Sequence, residues 1–197
     1  AFKKLKIDYF LLKEPYGFKN TSIFLKMLAK LTNKKNISEI EKEVIYKFKN
    51  AKEINSKINV GIVIDVDELE FMIVSNFNKD IPFFDLINEA GFDLNIFCYT
   101  GNHKEKNNIK KILDKYKIKA NYYLFSQSKE LFRLILNKSV SVVYSDIRYD
   151  RRLVEIGVNS FSTEIYEMGY DGFFRTVDRI KKLSEWNFYK KYARLKG

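Results

Sequence analysis

Residues 58–68 read Ile-Asn-Val-Gly-Ile-Val-Ile-Asp-Val-Asp-Glu. The run from Ile58 to Ile64 is nearly all apolar and rich in Val and Ile, as a strand buried on both faces should be. It ends abruptly at Asp65-Val66-Asp67-Glu68. A strand of this kind belongs to a parallel sheet covered by helices, so the chain on either side should alternate short strands with amphipathic helices.

It does so downstream. Asp80-Ile81-Pro82 opens a helix carrying Phe83, Phe84, Leu86 and Ile87, with Gly91 just past its end. Strands follow at Leu94–Thr100, Ala120–Phe125, Val140–Tyr144 and Val158–Phe161. Between them the pattern predicts a Lys-rich helix over Lys104–Tyr116, a helix capped by Ser128 that runs to Leu136, and a short helix from Asp150 to Ile156 before Gly157. Asp171 is expected to cap a last helix with Phe174, Val177 and Ile180 inward. The expected architecture is a three-layer, Rossmann-like α/β fold: a parallel sheet of about five strands, with helices on both faces.

Upstream the character differs. Ile23, Phe24, Met27, Leu28 and Leu31 recur at helical spacing, and Ser38 with Glu41 reads as a capping box before Ile40, Val44, Ile45 and Phe48. The division expected is a helical extension over 1–57, an α/β core over 58–163, and a C-terminal helical segment over 164–197 that packs on the core.

Composition narrows the chemistry. The chain has 197 residues, 46% of them hydrophobic, which is enough to build one core. One His and one Cys exclude a His- or Cys-rich zinc site, so a metal would be held by oxygen, which favours magnesium. One cysteine makes no internal disulfide, and no apolar run approaches the roughly 20 residues of a membrane span. A cytoplasmic protein is expected. The net charge of +11 comes largely from Lys scattered along helices, a solvated face that also suits an anionic partner such as nucleic acid.

In an open parallel sheet the ligand site lies beyond the carboxyl ends of the strands. Three such ends carry polar groups: Asp65-Val66-Asp67, Thr100-Gly101-Asn102, and Ser145-Asp146 with Asp150 four residues on. Asp65 and Asp67 can converge on one cation there, and Asp146 from a neighbouring strand would complete an oxygen site. Each Asp alone also reads as an ordinary helix or turn cap. His103 and Cys98 read as an exposed His and a small buried hydrophobe. Arg148, Arg151 and Arg152 form a basic cluster beside the proposed site, either a solvated helix start or a clamp for phosphate.

The ordered set Asp65-x-Asp67, Thr100-Gly101-Asn102, a Lys opening a helix, and Val142-Val-Tyr-Ser-Asp146-Ile-Arg-Tyr-Asp150 resembles the haloacid dehalogenase (HAD)-like phosphohydrolase superfamily, over about residues 58–162. The resemblance implies a Mg²⁺-dependent phosphatase with Asp65 as nucleophile and Asp67 as general acid and base. It further implies that Thr100 hydrogen-bonds the phosphoryl oxygens and that Lys129, or else Lys138, neutralises their charge; Gly101, Asn102 and, from the basic cluster, Arg148 are expected to bind substrate. Mg²⁺ would be held by Asp65, Asp146 and the backbone carbonyl of Asp67, with Asp150 supporting the metal or orienting Lys129. Glu68 and Leu69 depart from the family pattern. The short stretch between Asp65 and Thr100 leaves no room for a large cap, so the implied site is open and suits bulky phosphomonoesters, nucleic-acid-linked ones included. Two alternatives stand beside it: a PIN- or NYN-like Mg²⁺ ribonuclease, in which Asp65 and Asp146 would serve but Thr100-Gly101-Asn102 and Lys129 have no needed role, and an inactive module that binds protein or nucleic acid through its basic helices.

Overall fold

The computed structural model describes residues 12–33, 37–75, 81–100, 106–145 and 150–193. Five parallel strands form one sheet: β1 (Asn59–Asp65), β2 (Asp93–Tyr99), β3 (Asn121–Phe125), β4 (Val142–Tyr144) and β5 (Asn159–Phe161), in the order β3-β2-β1-β4-β5. β1 is central. Its Val60 pairs with Leu94 of β2 on one side and with Val142 of β4 on the other. The order reverses at β1, which makes the gap between the β1 and β4 carboxyl ends the natural ligand crevice.

Helices cover both faces, and alternation along β1 shows how. Val60, Ile62 and Ile64 face a layer built from α4 (Phe83–Ala90), α5 (Lys106–Tyr116) and α8 (Gly169–Glu185), through Leu86, Ile109 and Phe173. Val63, with Phe97 and Val143 of the flanking strands, faces α6 (Ser128–Asn137) and α7 (Arg151–Glu155) through Ile135 and Leu153. Gly61 lies on this second face. A Cβ there would stand 2.9 Å from Val140 and 3.3 Å from the Phe97 ring, so glycine lets the two neighbours close over β1. The three-layer α/β expectation holds.

The N-terminal helices, α1 (Gly17–Leu31) and α2 (Ile37–Asn55), dock against α4 and α8. Phe18 stacks on Phe48 at 4.3 Å and meets Phe173 edge-on at 6.4 Å. No side chain at the start of α1 caps it. Instead Glu89 of α4 accepts the Phe18 N–H at 2.8 Å and that of Lys19 at 3.3 Å, a carboxylate placed at the positive end of the helix.

Several expected boundaries move for identifiable reasons. A helix directly after β1, α3 (Val66–Ser75), was not expected; its first turn contains Asp67 and Glu68, and Leu69 turns inward, fully buried. Ser128 does not cap α6. It is already helical, and Glu130 reaches back to accept the Ser126 N–H at 3.0 Å. Likewise α8 begins at Gly169, two residues before Asp171, and buries Tyr170, Phe173, Val177 and Ile180. Ser38 falls inside α2 rather than ahead of it; Glu41 turns to α1, accepting from Ser22 Oγ at 2.7 Å and pairing with Lys26 at 3.1 Å. Asp80, which was to open α4, lies outside the described residues, and α4 starts after Pro82.

Candidate functional site

At the crevice between β1 and β4 lies a cleft of about 380 Å³. Asp65 enters it from the tip of β1, Tyr99 from β2, and Ser145 from just after β4, while Asp150 and Arg152 close the α7 side. Glu68 and Met72 of α3, and Ser128 and Phe132 of α6, supply further wall.

Asp65 ends its strand because the chain turns straight into α3. Its carboxylate oxygen Oδ1 accepts the Asp67 N–H at 3.1 Å, which caps the helix, while the side chain remains partly open to the cleft. One residue thus caps the helix and still faces the cleft. Asp67 is exposed on the first turn of α3 and does not line the cleft wall.

Asp150 is 4% exposed and N-caps α7. Its Oδ1 accepts from the Arg152 N–H and Nε at 3.1 and 3.0 Å, and its Oδ2 accepts from Arg152 Nη2 at 2.8 Å and from Ser145 Oγ at 3.1 Å. These bonds, those to the Arg152 guanidinium first, hold the Asp150 carboxyl below the usual aspartate range. Both oxygens are engaged. The expectation that Asp150 orients Lys129 is therefore corrected: its partner is Arg152, two residues away, which the resemblance did not single out.

Lys129 is exposed on α6 and is absent from the cleft wall, to which its neighbour Ser128 contributes. Lys138 is excluded by position. Its carbonyl accepts from Asn59 Nδ2 at 3.1 Å, and its ammonium sits over the Tyr123 ring at 4.9 Å, so it belongs to the opposite, amino end of the sheet. Six strand steps separate Asn59 from Asp65, about 20 Å at the usual rise.

Thr100 is buried and follows β2, with its N–H donated to the Phe125 carbonyl at 3.0 Å. Gly101, Asn102, His103, Asp146 and Arg148 lie outside the described residues. Among the described residues no group of three or more His, Cys, Asp or Glu side chains gathers as a metal cage. Asp65 has the hard oxygen chemistry that Mg²⁺ requires, whereas Asp150 is already occupied by Arg152. Cys98 is fully buried. Burial, with the charge of Asp65 adding, pushes its thiol up to about 12, which leaves it protonated and unreactive.

Ser145 and Arg152 are the cleft residues that sequence reasoning underused. Both stood in quoted stretches, and the signal was the Asp150-x-Arg152 spacing, which lets a helix cap and an ion pair share one carboxylate.

No family profile matches the chain, and no curated protein matches it. Among solved structures it is similar to a chain of nitrogenase, from the structure of nitrogenase Cp1 at pH 6.5, with a TM-score of 0.54 and 20% identity. That likeness covers 93% of this chain and 41% of the nitrogenase chain, so this chain spans well under half of the protein it matches. At that identity the shared property is the fold, a Rossmann-like parallel α/β sheet.

Proposed function

We propose that the protein is a phosphohydrolase that acts on a phosphomonoester at the β1–β4 crevice, through an aspartyl-phosphate on Asp65. The observation that carries this reading is the placement of Asp65: the tip of the central strand, in a cleft that also holds an arginine and a serine hydroxyl. The strands of the three motifs, β2, β1 and β4, are direct neighbours, so their carboxyl ends converge.

In this reaction an Asp65 oxygen attacks phosphorus, and the P–O bond to the alcohol breaks. Asp67, which stands on the first turn of α3 outside the cleft wall, would have to turn inward to deliver a proton to the departing alkoxide and then take one from the water that hydrolyses the acyl phosphate. Inorganic phosphate leaves and Asp65 is restored. Arg152 faces the developing charge with a guanidinium already oriented by Asp150, and such pre-positioned cations supply much of the barrier reduction in phosphoryl transfer. Mg²⁺ would be held through Asp65, with the backbone carbonyl of Asp67 and the Asp146 carboxylate as the other oxygen donors implied by the resemblance, and would supply charge neutralisation at the transferred group.

One observation favours the inactive-module alternative: among the described residues lining the cleft, the only Lys or Arg is Arg152, and it is already paired. Steady-state hydrolysis of p-nitrophenyl phosphate with Mg²⁺ separates the two. Metal-dependent turnover that Asp65→Asn abolishes supports the phosphohydrolase. A wild type inactive across a broad phosphomonoester panel supports the module.

A further inference from the structure

The cleft does not end at β4. Ser145, one of its walls, also begins a second depression of about 270 Å³, which follows the outer strand β5 past Ser160 and Ser162 to Trp186 and Tyr189. Trp186 and Leu183 belong in turn to a third, more apolar hollow of about 440 Å³, flanked by Arg179 and Lys182 of α8. The first two share Ser145 and the last two share Ile165, Leu183 and Trp186, so the three depressions adjoin as a track from Asp65 to the end of α8.

That end of the molecule combines rings with positive charge. Trp186, Phe188 and Tyr192 are 62%, 58% and 64% exposed, unusual for side chains of that size. The short helix α9 (Phe188–Tyr192) presents two of them, with Lys190 and Lys191 exposed on the same turn. Residues 178–193 carry five basic side chains against two acidic ones. Arg179 pairs with Glu167, which Arg175 also holds, and donates to the Ile165 carbonyl at 3.0 Å, while Lys182 pairs with Asp178 at 2.7 Å; the Lys182–Asp178 pair is well exposed, and such pairs contribute little to stability.

The platform is held in place. Gly157, at φ +77°, lies so close to α9 that a Cβ on it would stand 2.8 Å from the Lys190 Cα. Asn159 of β5 anchors the chain between the two helices, donating at 2.7 Å to the carbonyls of both Leu183 and Trp186. Exposed rings on a fixed support beside cations are what sequence-tolerant binding of single strands needs: bases stack on the rings while phosphates meet Lys and Arg. A membrane surface would call instead for an apolar face without a grooved, serine-lined path leading from it to a cleft.

We propose that this track binds single-stranded nucleic acid, with bases stacked on Trp186 and its neighbouring rings and a terminal phosphate of the strand seated in the Asp65 cleft. The placement of that phosphate rests on the phosphohydrolase reading; the binding of the strand does not.

The chain contains a single Trp, so its fluorescence reports on this site alone. The experiment titrates a terminally phosphorylated 12-nucleotide oligouridylate into full-length Asp65→Asn protein, which binds without turnover, and follows Trp186 quenching and the anisotropy of a labelled copy. Expected are saturable quenching and an affinity that falls steeply with salt. Trp186→Ala should weaken the anisotropy-detected affinity about tenfold, and Lys190→Gln with Lys191→Gln should flatten the salt slope. On otherwise wild-type protein, Trp186→Ala should leave p-nitrophenyl phosphate turnover unchanged. An absence of saturable binding at 50 mM salt, or equal oligonucleotide affinity of wild type and Trp186→Ala, overturns the proposal. So does loss of sedimentation with phosphatidylserine vesicles in Trp186→Ala while its oligonucleotide affinity stays intact, which would assign the patch to membranes. If p-nitrophenyl phosphate is never hydrolysed but the oligonucleotide binds with Trp186 quenching, the phosphatase reading fails and the strand-binding track stands.

Discussion

Asp150 grips Arg152 with both carboxylate oxygens, at 2.8 Å to Nη2 and 3.0 Å to Nε, while the same carboxylate caps the helix that Arg152 sits on. One buried acid thus fixes the start of α7 and the aim of the cleft's guanidinium. Asp150→Asn removes the charge and keeps most of the shape. We expect it to cost about 1–2 kcal/mol of stability, the low side of the roughly 1.5–3 kcal/mol that hydrogen bonds to charged groups contribute, because the exposed Arg152 can turn to water. The sign with pH follows from a depressed carboxyl. Its stabilisation is fully present above the ordinary aspartate value, near 3.9, and is lost as pH falls through the lower folded-state value. Denaturant melts of both proteins from pH 7 to pH 2 should show a difference that is constant above about pH 5 and shrinks below it.

Glu89 behaves in the opposite sense. Burial raises its pKa despite the Phe18 and Lys19 N–H groups it accepts. A carboxyl raised on folding prefers its proton in the native state, so its contribution improves as pH falls from above the folded value toward the unfolded one, near 4.3. Glu89→Gln should erase that part of the pH dependence, as measured by the difference in Tm between the two proteins across pH 4–8. An identical Tm profile would mean that the carboxylate is solvated in solution.

Asp65→Asn should abolish turnover of a phosphomonoester while leaving Tm equal or slightly higher, because the amide cannot attack phosphorus and one carboxylate fewer relieves repulsion near Glu68. Thr100→Ala should be milder, at most about 2–4 kcal/mol in the barrier. Wild-type rates in the Asn variant would remove Asp65 from the nucleophile role.

Cys98, buried in β2 and with its thiol pushed up to about 12, should resist a thiol reagent such as Ellman's at pH 8 and react only on unfolding. Fast labelling of native protein would show that β2 opens locally.

Gly157→Ala should destabilise the protein and loosen α9. The substitution strains a positive φ and sets a methyl against the Lys190 Cα. Proteolysis after Lys190 and Lys191, followed by mass spectrometry, should accelerate well beyond its rate in wild type.

The β-αβ order was legible because buried parallel strands leave unbroken Val/Ile runs, and all five strands fall within one or two residues of where the sequence puts them. Asp65 at a strand tip was legible for the same reason. The helix α3 was not: Val66 and Leu69 are its inward residues, but Asp67 and Glu68 between them read as chemistry rather than as the favourable acidic first turn of a helix. The Arg152 role was hidden because a carboxylate spaced two before an arginine looks like an ordinary helix start. Lys129 and Lys138 could not be told apart along the sequence, yet they sit at opposite ends of α6, and only one end faces the cleft side of the sheet.

The central strand also sets an order of events during synthesis. β1 can pair with β2 as soon as Tyr99 has left the ribosome, but its other edge waits for Val142–Tyr144, with α5, β3 and α6 made in between. Through that interval Val60, Gly61 and Ile62 present an open, apolar strand edge of the kind that recruits other chains. The nascent protein is therefore most exposed to aggregation, and most in need of a chaperone, while residues 100–141 are being translated. Substitutions that slow pairing of β4 would lower yield without touching the stability of the finished fold.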